Sequence, residues 1–275
     1  MTYLRLPSSW AFRGIFALTI VALAVGGSLV FAAQSEASHD VICTELPSHD
    51  ELKKELSAAR NDSNGNGGFD LDMWGTIVNR DGVVCVVAFT GEERGDQWPG
   101  SRVISAQKAN TANSFSLKGL ALSTANLFSV VQPGGSLFGL QASNPVDTSV
   151  AYGGDPSRAG LHNDPMVGER IGGVNVFGGG LALYKIDGTL VGAIGVSGDS
   201  SCADHNIAWK TRDALGLDNI PGGVSGTGDD NIVLDLTFSK VLGHIVSPGG
   251  WGHPECSKAA TDIAKELPNT HPVGF

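Results

Sequence analysis

Two four-residue segments carry the residue types and spacing of a metal or thiol site: Cys202-Ala203-Asp204-His205 and His253-Pro254-Glu255-Cys256, mirror images of one another. If the C-terminal part folds back, two thiolates and two imidazoles could converge as a tetrahedral zinc site. The competing chemistry is oxidative. Cys43, Cys85, Cys202 and Cys256 form an even set, and in an exported chain such a set is expected to make two disulfides, zinc becoming attractive only with reduced thiols. The sequence leaves three pairings open. We favour Cys202 with Cys256 and Cys43 with Cys85, which would staple the C-terminal tail and the N-terminal segment onto the core. Loops of that length constrain the unfolded chain by about 4 kcal/mol each.

His205 sits where a helix is expected to begin, and free N–H groups with the positive end of the helix dipole keep an imidazole neutral. It could then ligate a metal or accept a proton, or Asp204-His205-Asn206 could simply cap the helix and pack on a glycine-rich corner. Lys108 is the central charge of a second expected helix, placed to hold an anion or to pair with a carboxylate across a sheet. Other catalytic signatures are absent from the sequence: there is no Gly-x-Ser-x-Gly elbow, no P-loop and no His-Glu-x-x-His.

The elements that must position these residues are written twice. Met73–Gly91 and Phe177–Leu217 each read as two β-rich runs joined by an Asp-Gly turn and followed by a helix. Asp81-Gly82 and Asp187-Gly188 are the residues that tight antiparallel turns demand. The flanking runs are β-branched and small, and Gly192 and Gly195 suit a close approach of another backbone. Helices are expected over 49–60 with Ser48 as N-cap, over 101–115 capped by Ser101, over 120–131, and from about Ser201 to Leu215 with Asp204 completing an acidic capping box. The segment 61–68 reads as a flexible loop, 136–174 as a long loop lining a site or interface, and 231–238 as a further strand. The remainder could fold back over the domain.

Residues 1–32 have the layout of a signal peptide: Arg5 and Arg13 without acids, an apolar run over 15–30, and Val30-Phe31-Ala32 before a cleavage site at Ala33. Export to the periplasm or outside the cell is the expectation, with a membrane partner if the leader stays uncleaved. Residues 33–275 then form one domain, with a core over about 73–217 and an extension over 218–275. With 18 basic against 28 acidic residues the net charge is −10, which argues against nucleic acid as a partner. Glycine at 38 of 275 residues speaks for many tight corners and a mixed α and β fold.

SRVISAQKANTANSF after the first hairpin, then PGGSLFGL, then GGGLALYKIDGTLVGAIGVSGDSSCADHNIAW together resemble the GlcG/HbpS-like family, the haem-binding or haem-degrading domain family. The resemblance covers about residues 73–217, with Lys108-Ala109, Thr111-Ala112, Pro133-Gly134-Gly135 and Gly192 to Gly198 followed by Asp204 as its most telling motifs. It implies a profilin-like α/β/α domain with a central antiparallel sheet, assembly into homo-oligomers, and binding of haem or a similar tetrapyrrole as carrier, scavenger or sensor component. Haem needs an axial ligand, apolar walls and cations for its propionates. The family's association of haem with a histidine near the first helix points to His49, with His205 as the other histidine considered and Lys108 as the propionate anchor. The rival readings are a small-metabolite enzyme with His205 as general base and Lys108 holding the anion, or an oligomeric partner-binding protein without a ligand.

Overall fold

The computed structural model describes residues 43–240 and 244–274. The expected signal peptide and cleavage site lie outside them. Helix α1, His49–Arg60, is closed at its start by a reciprocal capping box: Glu51 N–H donates to the Ser48 hydroxyl and the Glu51 carboxylate accepts from Ser48 N–H. Leu52, Leu56 and Ala59 repeat on its buried face. Strands β1 (Trp74–Asn79) and β2 (Val84–Phe89) make the first hairpin, β3 (Gly180–Tyr184) and β4 (Leu190–Ser197) the second. Gly82 and Gly188 take φ of 73° and 75° in the two turns, as tight reversals demand.

The strands form one antiparallel sheet in the order β2-β1-β4-β3, so the two hairpins meet through β1 and β4, with Ile77 opposite Ile194. Helix α2, Ser101–Phe115, covers one face of this sheet. On the other lie α1 and helix α5, Ser201–Ala214, making three α/β/α layers. Side chains alternate to the two faces. Leu52, Leu56, Ile77, Ile194 and Ile207 share one core; Trp74, Val87, Val103, Ala109 and Ala193 share the other. Close approach of α2 is set at Gly195, where a Cβ would overlap the Ser105 carbonyl and crowd the Ala109 amide. Beside that contact Thr76 Oγ1 and Ser105 Oγ hydrogen-bond at 2.7 Å.

Between α2 and β3 in the chain come two short helices, α3 (Leu140–Ser143) and α4 (Thr148–Ala151), within the long 136–174 connection. After α5 come the small hairpin β5 (Thr237–Ser239) and β6 (His244–Val246), then helix α6, Lys258–Thr270, which packs on α5. Cys43 is joined to Cys85 and Cys202 to Cys256. The first bond ties the approach to α1 onto β2, and the second ties the tail ahead of α6 to the first turn of α5. Asp230 adds a buried two-pronged bond to Arg212 of α5, both contacts at 2.7 Å. Among the described residues no helix is long and apolar enough to cross a membrane.

Three expectations change. Residues 120–131 form two short 3-10 turns, 125–127 and 129–131, instead of a helix. Polar side chains compete there for backbone groups: Asn126 Oδ1 accepts from Ser123 N–H and Thr124 Oγ1 from Gly180 N–H. Residues 231–238 pair as a strand at the 237–238 end, with one isolated parallel bridge from Val233 to Gly252, because Ile232 N–H is taken by Asn231 and His205 and the Asp235 carboxylate is held by Ser247 and Gly249. Ser101 is the first residue of α2 rather than its cap, a position that Gly100 holds without a side-chain bond.

Gly195→Ala should lower folding stability by about 2–3 kcal/mol, since the added methyl must push α2 off the sheet. Gly100→Ala, where a Cβ meets nothing within 4 Å, should be close to neutral. Denaturant unfolding of both variants measures the difference; equal midpoints would show that the helix can move away freely.

Candidate functional site

His49 is the first residue of α1, where it projects from the helix start toward the long connection. Its Nε2 donates to the Gly160 carbonyl at 2.9 Å, while Nδ1 lies 3.2 Å from the Asp50 carboxylate. Gly160, at φ 77°, is pressed against Phe89 and Trp74, whose rings stack at 4.3 Å. Beside this stack opens a cleft of about 330 Å³ at the edge of β2, lined by Lys53, Phe89, Arg94, Gly160 and Leu161. Lys53 stands one helical turn beyond His49. Glu92 and Glu93 also line the cleft, so its two cations face two acids. A ring nitrogen held by a carbonyl, backed by a carboxylate and bordered by an aromatic floor, is a ligand arrangement that a metal centre could take over.

The second cluster lies inside the protein. Lys108 of α2 is 1% exposed, and its Nζ donates to Asp204 Oδ2 at 2.7 Å and to the Val196 carbonyl at 2.9 Å. Asp204 Oδ1 accepts from the Gly198 and Asp199 amides at 3.1 and 2.8 Å. Asp204 therefore does not close a capping box. The cap of α5 is Ser200, which accepts from Ala203 N–H, and Asp204 faces the core from the end of the first turn. Burial pushes the Asp204 carboxyl up to about 6 despite the Lys108 charge and its hydrogen bond, and burial lowers the Lys108 amine. Lys108 is thus engaged in an internal pair with a carboxylate, the second of the two roles considered for it, and its buried amine is turned away from any outside anion.

His205 is likewise interior. It is fully buried, its Nε2 accepts from Ile232 N–H at 3.1 Å, and Nδ1 finds no partner. Nε2 also lies 3.2 Å from Asn231 Oδ1, so this one nitrogen faces both a donor and an acceptor. Burial, reinforced by the Arg212 charge, pushes its pKa down to about 3. A group so enclosed serves neither as an axial ligand nor as a general base for an outside substrate. His253 points elsewhere: Nδ1 donates to the Pro254 carbonyl at 2.7 Å, and Nε2 meets the Ser201 hydroxyl at 2.8 Å. With both sulfurs in a disulfide and the two imidazoles engaged apart, Cys202, His205, His253 and Cys256 do not form the zinc site considered above.

The structure thus joins Lys108 to Asp204, places His205 beside them on α5, and leaves His49 with a different set of partners. Asp50, Lys53, Arg94 and Gly160 were not read from the sequence. The i, i+4 spacing of His49 and Lys53 was a usable signal; Arg94 and Gly160 had none beyond lying in long irregular segments.

Burial also pushes His253 down to about 4. Both imidazoles are held neutral when folded, whereas in the unfolded chain they protonate near the ordinary value of 6.5. Each histidine therefore leaves the unfolded state with one more proton below pH 6.5 and lowers stability on acidification toward pH 4 by up to about 1.4 kcal/mol per pH unit. The raised Asp204 carboxyl works in the opposite direction between about pH 4 and 6 and offsets one of them. Denaturant unfolding across pH 4–7 should show this slope, and His253→Gln should flatten it by about one proton; an unchanged slope would mean that His253 is solvated.

The sequence matches the model of a family described as haem degrading protein HbpS-like over residues 48–213. A comparison with curated protein sequences gave no match. Among solved structures, the chain is similar to a PduOC:heme complex at 25% identity and a TM-score of 0.42, covering 62% of this chain and 96% of that one. It is also similar to Klebsiella pneumoniae protein ORFY at 23% identity and a TM-score of 0.39, covering 60% and 87%. Because the matched stretch runs from the cap of α1 to the end of α5 and takes in the whole four-stranded sheet, the chain belongs to the HbpS-like family.

Proposed function

We propose that this protein binds haem, or a similar planar tetrapyrrole, at the cleft of Lys53, Phe89, Gly160 and Leu161, with His49, bonded to the Gly160 carbonyl, as the axial ligand, and acts outside the cytoplasm as a carrier, scavenger or sensor component. The observation that carries the reading is the His49 ring, with Asp50 at Nδ1 and Nε2 held by one replaceable carbonyl bond beside the Trp74–Phe89 stack. Asp50 would orient the ring and raise the basicity of Nε2 as a ligand. Phe89 and Leu161 offer apolar contact, and Lys53 and Arg94 offer cations to carboxylate side groups. A volume of about 330 Å³ lies at the small end for ligand pockets, enough for one edge of a tetrapyrrole. Bound haem would bring iron chemistry to this edge, while the chain's own residues bind, orient and partly cover it. The family description as haem degrading proteins supports the same class of ligand.

Export is supported by the leader-like N-terminus and by two disulfides, which persist in oxidising compartments. Exposed apolar side chains such as Phe138, Phe177, Phe238 and Ile245 support assembly with further copies. The metabolite-enzyme alternative loses both of its residues, Lys108 and His205, to the interior.

A hemin titration of the disulfide-bonded protein, followed in the Soret band, tests the reading. Saturable binding is expected. His49→Ala should weaken it at least about tenfold through loss of the axial bond, and Lys53→Ala with Arg94→Ala roughly threefold, as partly exposed ion pairs do. No Soret change with the unaltered protein sinks the haem reading, and binding indifferent to His49 moves the site elsewhere.

A further inference from the structure

The loop after α1, Asp62-Ser63-Asn64-Gly65-Asn66-Gly67, places side-chain oxygens at alternate residues ahead of a glycine. That is the opening of a calcium loop, Asp-x-[Asp/Asn]-x-[Asp/Asn]-Gly, in which alternate side chains and a backbone carbonyl turn inward on one ion. The likeness stops short of completion, because Met73 stands where the closing glutamate would be.

A cation nevertheless lies among these oxygens, and it comes from another helix. Lys210 of α5 places Nζ 2.7 Å from Asp62 Oδ2, 3.0 Å from the Gly65 carbonyl and 3.0 Å from Asn66 Oδ1. The three N–H donors of an ammonium thus meet three oxygens. Lys210 and Asn66 are each 6% exposed, so the charge sits inside the protein rather than at its surface. Gly65 and Gly67 turn the loop at φ of 69° and 80°, and Asp62 Oδ1 accepts from Asn64 N–H at 2.9 Å. The cage is also fixed from behind, where Asn206 Nδ2 donates to the Asn66 carbonyl at 3.1 Å.

We propose that residues 62–67 form a divalent-cation loop whose ion is replaced by the Lys210 ammonium, and that the loop takes calcium once the amine is removed. A divalent ion and an ammonium cannot share three oxygens about 3 Å from one centre, so the native chain excludes the metal. The oxygens need close in by only a few tenths of an ångström to reach calcium distances of about 2.3–2.6 Å. One carboxylate with two neutral oxygens belongs to the weak, millimolar class of such sites. Lys210 thereby keeps the junction of α1, α5 and the loop closed whatever the surrounding calcium concentration.

The test is thermal unfolding of the native protein, Lys210→Ala and Lys210→Ala/Asp62→Asn, in EDTA and in about 10 mM CaCl2, a concentration set by the weak class of site. The native midpoint should not move with calcium. Lys210→Ala should melt several degrees lower in EDTA and recover at least half the loss in calcium, while the double variant should not respond. If Lys210→Ala does not fold without metal, its refolding yield with and without CaCl2 gives the same answer. A calcium-indifferent Lys210→Ala protein, or recovery that survives Asp62→Asn, overturns the proposal.

Discussion

The buried ion pair between Lys108 and Asp204 is the contact on which the other parts converge. Its ammonium also holds the Val196 carbonyl at the end of β4, and its carboxylate gathers the two amides that lead from β4 into α5. One pair therefore joins the helix on one face of the sheet to the helix on the other, around the end of the strand between them. Removing water from two charges costs several kcal/mol apiece, and their attraction offsets this only when the remaining hydrogen bonds are made. Here they are made by backbone groups that the chain reversal would otherwise leave unpaired. The same demand explains the glycine at 179, where a Cβ would overlap the Val196 carbonyl and crowd both Asp204 and Lys108.

The hairpins were legible because turn chemistry is local: Asp-Gly between β-branched runs decides a reversal within a few residues. The start of α1 was legible for the same reason, through Ser48. What was not legible depends on partners distant in sequence. Nothing near Lys108 or His205 announces that both are enclosed, because the residues enclosing them come from β4, from the glycine corner and from 231–232. Residues 120–131 carry helix formers, yet Thr124 and Asn126 bind the backbone of other segments, Ser123 pairs with Asn126, and the run is broken. Helix α6 was missed altogether; its amphipathic pattern is short, and Pro268 inside its last turn reads as a stop.

The cleft and the tail show how the covalent bonds complement the pair. The cleft is assembled from α1, the end of β2, the 91–94 turn and the 156–161 segment, which hydrogen bonding within any one of them could not bring together. Cys43–Cys85 holds the approach to α1 against β2, so the histidine and the aromatic floor share one anchored edge. Cys202–Cys256 does the equivalent work at the opposite end of the chain, letting α6 cover α5 and the loop that follows α1. Asn206 bridges the two by donating to both Asn66 and Ala260.

The bond from His49 to Gly160 gives the cleft a mechanical property. Any ligand that takes Nε2 releases the Gly160 carbonyl, and the peptide it belongs to is not free-standing. Gly160 N–H donates to Asp164, and that carboxylate also grips Arg102 in the first turn of α2. Displacing the His49 bond would thus act, through the freed carbonyl, on a short chain of contacts leading to the far face of the sheet. The edge that carries the cleft is wired to the helix layer on the opposite face of the sheet.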